Sequence, residues 1–176
     1  MRRNGFTLIE LLVVIVILGI LITLVSRGLR AARLSAMKAQ AKVEMASIET
    51  AVKSYWNKYG RLPSDETASD TEFDPEGDSL TDNASEEIIS ILTMAPGSDP
   101  NLNAYGVAFL DPQSGVPEGT FVDPWGYQYR IALDTDYDGL IQIGSETVRR
   151  KVAVASVGLY AIKGGGDTND VVATWR

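Results

Sequence analysis

One carboxylate, Glu10, stands inside an otherwise apolar run that extends from Phe6 to Val25. An ionised Glu costs about 2.5–3.5 kcal/mol near the centre of a membrane helix, and less near the end where Glu10 sits. A group in that setting needs a partner. The nearest source is the amine that would be created by cutting the chain between Gly5 and Phe6. Such an amine at a helix N-terminus faces the positive end of the helix dipole. Each charge would therefore neutralise the other, either within one chain or between neighbouring chains.

Two further groups of acidic residues could hold a cation. Asp134-Thr135-Asp136-Tyr137-Asp138-Gly139 places three carboxylates at alternate positions and a Gly for the turn, like the first half of an EF-hand loop. The closing Glu of such a loop would fall at Ser145, with Glu146 one residue late. The flanks read as strands, so a full EF-hand is not expected. The second group is Gly164-Gly165-Gly166-Asp167-Thr168-Asn169-Asp170. The chain has no Cys and no His, which leaves hard oxygen ligands of the kind calcium prefers. The alternative for both groups is an ordinary Asp/Gly turn.

The missing His and Cys also remove the usual proton shuttle and thiol nucleophile. No Ser lies in a nucleophile-elbow pattern, so the chain does not read as an enzyme.

The elements that must position these groups begin with a helix. About 20 apolar residues suffice to cross a bilayer, and the run from Phe6 to Val25 meets that length. Arg2 and Arg3 precede it, which by the positive-inside rule puts the N-terminus in the cytoplasm and the rest outside. Arg27, Arg30 and Arg33 then meet the headgroup region. Beyond Val25, Leu34, Ala41, Met45, Ile48, Val52, Tyr55 and Tyr59 recur at three- and four-residue steps, with Lys38 a misfit in the row. They predict one face of a helix that continues to Tyr59, about 80 Å in all at 1.5 Å per residue. Gly60 supplies a left-handed cap and Pro63 prevents continuation.

Residues 64–82 are acidic and rich in Ser, Thr and Asp, and read as a surface loop. Asn83 and Glu86 form a capping box that opens a short helix, roughly Ser85 to Met94. Short β-branched or aromatic runs at 107–110, 127–133, 140–143, 152–157 and 171–175 predict strands. Asp123-Pro124-Trp125-Gly126 is a turn before one of them, with Trp125 filling space between sheet and helix. The fold class is α+β, a long N-terminal helix packed on a small antiparallel sheet. Four segments follow: a leader at 1–5, a membrane helix at 6–25, an amphipathic stem at 26–60 and a globular head at 61–176.

Charge divides along the same line. Residues 1–61 carry ten Lys or Arg against Glu10, Glu44 and Glu49; residues 62–176 carry six against twenty acidic residues. A basic rod with an acidic head suits subunits that pack head against stem. It argues against a nucleic-acid-binding head, which would show a basic stripe.

GFTLIELLVVIVILGIL, from Gly5 to Leu21, resembles the N-terminal segment of type IV pilins and of the pseudopilins of type II secretion. The resemblance implies a pilin-like fold and cleavage after Gly5 by a prepilin peptidase, with methylation of the new Phe6 amine. It also implies that Glu10 registers an incoming subunit during filament growth. Family members commonly carry Pro where this chain has Arg27, which puts local melting of the helix there in doubt. Tyr59-Gly60-Arg61-Leu62-Pro63, the DPWG turn at 123–126 and the final Trp175 resemble major pseudopilins more narrowly. These hold a C-terminal loop with calcium. Asp167 or Asp170 matches its later acidic ligand, whereas an earlier one corresponds to Tyr160.

The function this implies is a structural subunit of a secretion pseudopilus. Its partners would be copies of itself, the inner-membrane assembly platform, minor pseudopilins and membrane lipid. A type IV pilin of a surface fibre, serving adhesion, motility or DNA uptake, is the alternative. The location is the bacterial inner membrane, with the head in the periplasm.

Overall fold

The computed structural model describes residues 6–64, 83–143, 146–163 and 170–175; the side chains of residues 24–27, 83 and 84 are outside that description. The predicted loop at 64–82 therefore falls almost wholly outside it, as do Gly5 and Asp167. Helix α1 runs from Leu8 to Tyr59 without a break at Gly19 or Gly28. The chain forms two compact units, Met1–Met37 and Lys38–Arg176.

In the first unit the apolar side chains from Phe6 to Ile22 are exposed. By length and composition this part of α1 can cross a membrane.

In the second unit, α1 contributes Ala41, Met45, Ile48, Val52 and Tyr55 as buried residues, in the spacing the sequence predicts. Gly60 follows with φ +70°, and its N–H donates to Trp56 O, so the helix ends in the left-handed cap. Helix α2 is Asn83–Thr93 and adds Ile88, Ile89, Ile91 and Leu92 to the same core.

Strands β1 (Arg130–Leu133), β4 (Val152–Ser156) and β5 (Val172–Ala173) form an antiparallel sheet in the order β1-β4-β5. A second, two-stranded sheet pairs β2 (Ile141–Ile143) with β3 (Glu146–Val148). The α+β class and the small antiparallel sheet match the expectation. Alternation along the strands sorts residue size. Ile131, Leu133, Val152 and Val154 face the core with α1 and α2, while Ala132, Ala153 and Ala155 face a second cluster with Ile141, Ile143 and Val171. The sheet is buried on both sides, and small residues on one side let the β2–β3 pair approach closely.

Several local expectations change: the run at 171–175 shortens to β5, and β3 forms where no strand was expected. Residues 107–110 are not a strand. Asn103 engages Val107 on both sides, its Nδ2 donating to Val107 O and its Oδ1 accepting from Val107 N–H. The N–H groups of Phe109 and Leu110 donate to Leu92 O at the end of α2. Their backbone thus serves a helix terminus. The run at 127–133 shortens to β1, with Val122 and Gln128 forming only an isolated bridge. A five-residue helix, α3 (Gly158–Ile162), follows β4 where no helix was expected.

Candidate functional site

At the start of α1, Glu10 and Thr7 hold one another. Glu10 Oε2 accepts from the Thr7 N–H (2.9 Å) and from its hydroxyl (2.7 Å), while Glu10 N–H donates to Thr7 Oγ1 (3.3 Å). This is a reciprocal capping box, with Thr7 as N-cap and Glu10 at the third helical position. Sequence reasoning missed this cap, although the Thr-x-x-Glu spacing is a signal for it. The carboxylate is thus fixed in the first turn, four residues past Phe6, which is itself exposed. Gly5, the other half of the expected cleavage site, lies outside the described residues.

In the head, Asp134, Asp136 and Asp138 bring carboxylate oxygens within 4.8 Å of one another. Asp134 ends β1 and is buried, whereas the other two are exposed. The loop is built by its own carboxylates: Oδ2 of Asp134 accepts from Gly139 N–H, Oδ1 of Asp136 from Asp138 N–H, and Oδ1 of Asp138 from Leu140 N–H. Tyr137 and Gly139 adopt positive φ, +63° and +84°. The Tyr137 ring rests on Trp56 of α1, with centroids 5.4 Å apart, and Lys151 Nζ lies 4.0 Å from the Trp56 centroid. This oxygen cluster can bind a metal ion, and its chemistry fits a hard divalent cation. Glu146, the late candidate for a closing ligand, accepts instead from Trp175 Nε1 at 3.2 Å.

The second acidic group is not brought to the first by any described contact. Asp167 is outside the described residues. Both oxygens of Asp170 accept from Lys163 Nζ, each at 2.7 Å. Tyr160, at the position of the earlier family ligand, packs against the second hydrophobic cluster.

Sequence reasoning also missed Asp123, a buried carboxylate with four donors. Its Oδ1 accepts from the N–H groups of Trp125 and Tyr127, both at 3.0 Å. Its Oδ2 accepts from Ser156 Oγ (2.6 Å) and Gly158 N–H (3.0 Å). The turn was legible; the partners, more than thirty residues away, were not. Asp123 therefore ties the DPWG turn to the end of β4 and the start of α3.

The family model described as the prokaryotic N-terminal methylation motif matches residues 1–26. Type II secretion system core protein G of Dickeya chrysanthemi is 28% identical over 175 residues, covering 99% of this chain and 88% of the relative. The Klebsiella pneumoniae protein of the same name is 28% identical over 144 residues, covering 82% of this chain and 84% of its own. The type II secretion system core protein G of Pectobacterium carotovorum subsp. carotovorum is 29% identical over 144 residues, covering 82% of this chain and 75% of the relative. No solved structure gives a significant match. The motif match covers the exposed helix and Glu10, and the longer alignments extend through the head.

Proposed function

We propose that this chain is a structural subunit of a type II secretion pseudopilus and not an enzyme. The observation that carries the reading is the alignment of nearly the whole chain with proteins named core protein G, joined to an exposed apolar helix whose first turn holds Glu10. In this reading residues 1–5 are a leader facing the cytoplasm, removed by a prepilin peptidase between Gly5 and Phe6, after which the Phe6 amine is methylated. Residues 6–25 hold the subunit in the inner membrane, with the head in the periplasm. The stem, residues 26–60, carries the head, residues 61–176.

Glu10 supplies the negative charge for a Phe6 amine. Pairing with the amine of a neighbouring copy sets the register of each added subunit. The capping hydrogen bonds from Thr7 support this role, because they keep the carboxylate at the amine's end of the helix. Copies added at an assembly platform, together with minor pseudopilins, extend a short filament that pushes folded cargo outward. Calcium, bound by Asp134, Asp136 and Asp138, would add positive charge to this loop of the acidic head and stiffen it.

Deleting the gene and assaying exoprotein release together with surface fibres tests the function. Loss of release with intact fibres is the expected result. Loss of surface fibres with normal release would overturn it in favour of a surface pilin.

A further inference from the structure

Asp170 begins the last described stretch of the head, just before β5, and its side chain is only 12% exposed. A carboxylate so placed has lost most of its water and needs a compensating cation or strong donors. Lys163 provides one. It is the residue that closes α3, its backbone N–H donating to Leu159 O, and its ammonium reaches both oxygens of Asp170 at 2.7 Å. The bidentate contact is charge-assisted on both sides and spans seven residues of sequence.

A divalent ion does not fit the same place. Its charge would have to sit against an ammonium already within hydrogen-bond distance of both carboxylate oxygens. The neighbouring position where the family resemblance puts a second acidic ligand is Tyr160, whose ring is committed to the hydrophobic cluster with Val148 and Trp175.

We propose that the Lys163 ammonium is the built-in counter-ion of the C-terminal segment, standing in for a metal ion at Asp170. This end of the head is then held by the chain itself, and among the described residues the Asp134 loop is the place left for calcium. The inference does not depend on the pseudopilus reading, since it concerns what neutralises Asp170 in the folded chain.

Hydrogen exchange of the full-length protein in detergent micelles tests it. The reporter is the peptide from Val171 to Trp175, whose Thr174 N–H donates to Val154 O. Lys163→Met should exchange there about tenfold faster or more, the loss expected for a hydrogen bond to a charged group. Lys163→Arg keeps the cation and should stay near the parent rate. Chelator should leave the parent rate unchanged, or change it only through the Asp134 loop. Asp136→Asn/Asp138→Asn, which alters only exposed side chains of the other loop, separates the two sites. Chelator sensitivity that vanishes in this variant belongs to the Asp134 loop and agrees with the proposal. Sensitivity that persists in it, or a Lys163→Met protein exchanging at the parent rate, would overturn it.

Discussion

The hydroxyl of Tyr129 donates to Oε2 of Glu44 at 2.6 Å, across 85 residues of sequence. Tyr129 lies immediately before β1 and is fully buried, while Glu44 is on α1 and also accepts from Gln40 Nε2. This hydrogen bond joins the helix to the start of the sheet in the second unit, beside the apolar contacts of Met45 and Ile48. Burial pushes the Tyr129 phenol well above its usual value, and the Glu44 hydrogen bond and charge push it further the same way.

The sign of the resulting pH dependence follows. A raised folded-state pKa means the native protein keeps its proton after the unfolded chain has lost it. The stabilisation is complete below the unfolded tyrosine value of about 10 and declines as pH rises through it. Tyr129→Phe should lower stability by about 1.5–3 kcal/mol at neutral pH and make the alkaline decline shallower. Tyr55, raised chiefly by burial, retains part of that decline. Thermal unfolding of the two proteins from neutral pH to about pH 11 measures both effects. Parallel curves would show that Tyr129 is not the group responsible.

Asp123 carries a second prediction. In Asp123→Asn the amide nitrogen cannot accept, so with the nitrogen at the Oδ2 position the Gly158 N–H loses its partner and the Ser156 hydroxyl must turn to accept, while the opposite orientation strands the N–H groups of Trp125 and Tyr127. A loss of about 1–3 kcal/mol is expected. Gly158→Ala attacks the same junction sterically, because its Cβ would lie 2.5 Å from Asp123 Oδ2 and 2.7 Å from Trp125 Cβ. It should destabilise by a similar amount, about 1–3 kcal/mol. A melting temperature equal to the parent's in Gly158→Ala would refute the close fit.

What could be read from the sequence was periodic or local. The seam from Ala41 to Tyr59, the stop at Gly60 and Pro63, and the V-A-V-A alternation of β4 each repeat a pattern over several residues. Residues 107–110 carry the composition of a strand, yet Asn103 and the end of α2 take their backbone groups. Propensity yields there to a hydrogen-bonding demand set elsewhere. Glu146-Thr147-Val148 is too short and polar to signal a strand, and α3 spans less than two turns. At the site, Glu10 was legible as a charge in need of a partner. Its role as a cap required the geometry of Thr7, and the pairing of Lys163 with Asp170 required a fold that brings them together.

Calcium titration gives the third test. Asp134→Asn should abolish any calcium-dependent rise in the melting temperature of the full-length protein, since Asp134 anchors the loop from the end of β1. Asp170→Asn should leave the rise intact. No rise in the parent protein would exclude a structural ion at this loop.

The last prediction separates two jobs that Glu10 performs at once. As a cap, it satisfies the Thr7 N–H, and a Gln side chain with its carbonyl oxygen can do the same. As a counter-ion, it must carry charge, which Gln lacks. Glu10→Ala removes both, and Glu10→Gln removes only the second. If the charge directs assembly, both variants should lose residues 1–5 normally, read by the intact mass of the purified protein, and neither should form filaments in sheared fractions under the electron microscope. If the cap alone mattered, Glu10→Gln would assemble as the parent does, and the pairing with an amine would have to be abandoned.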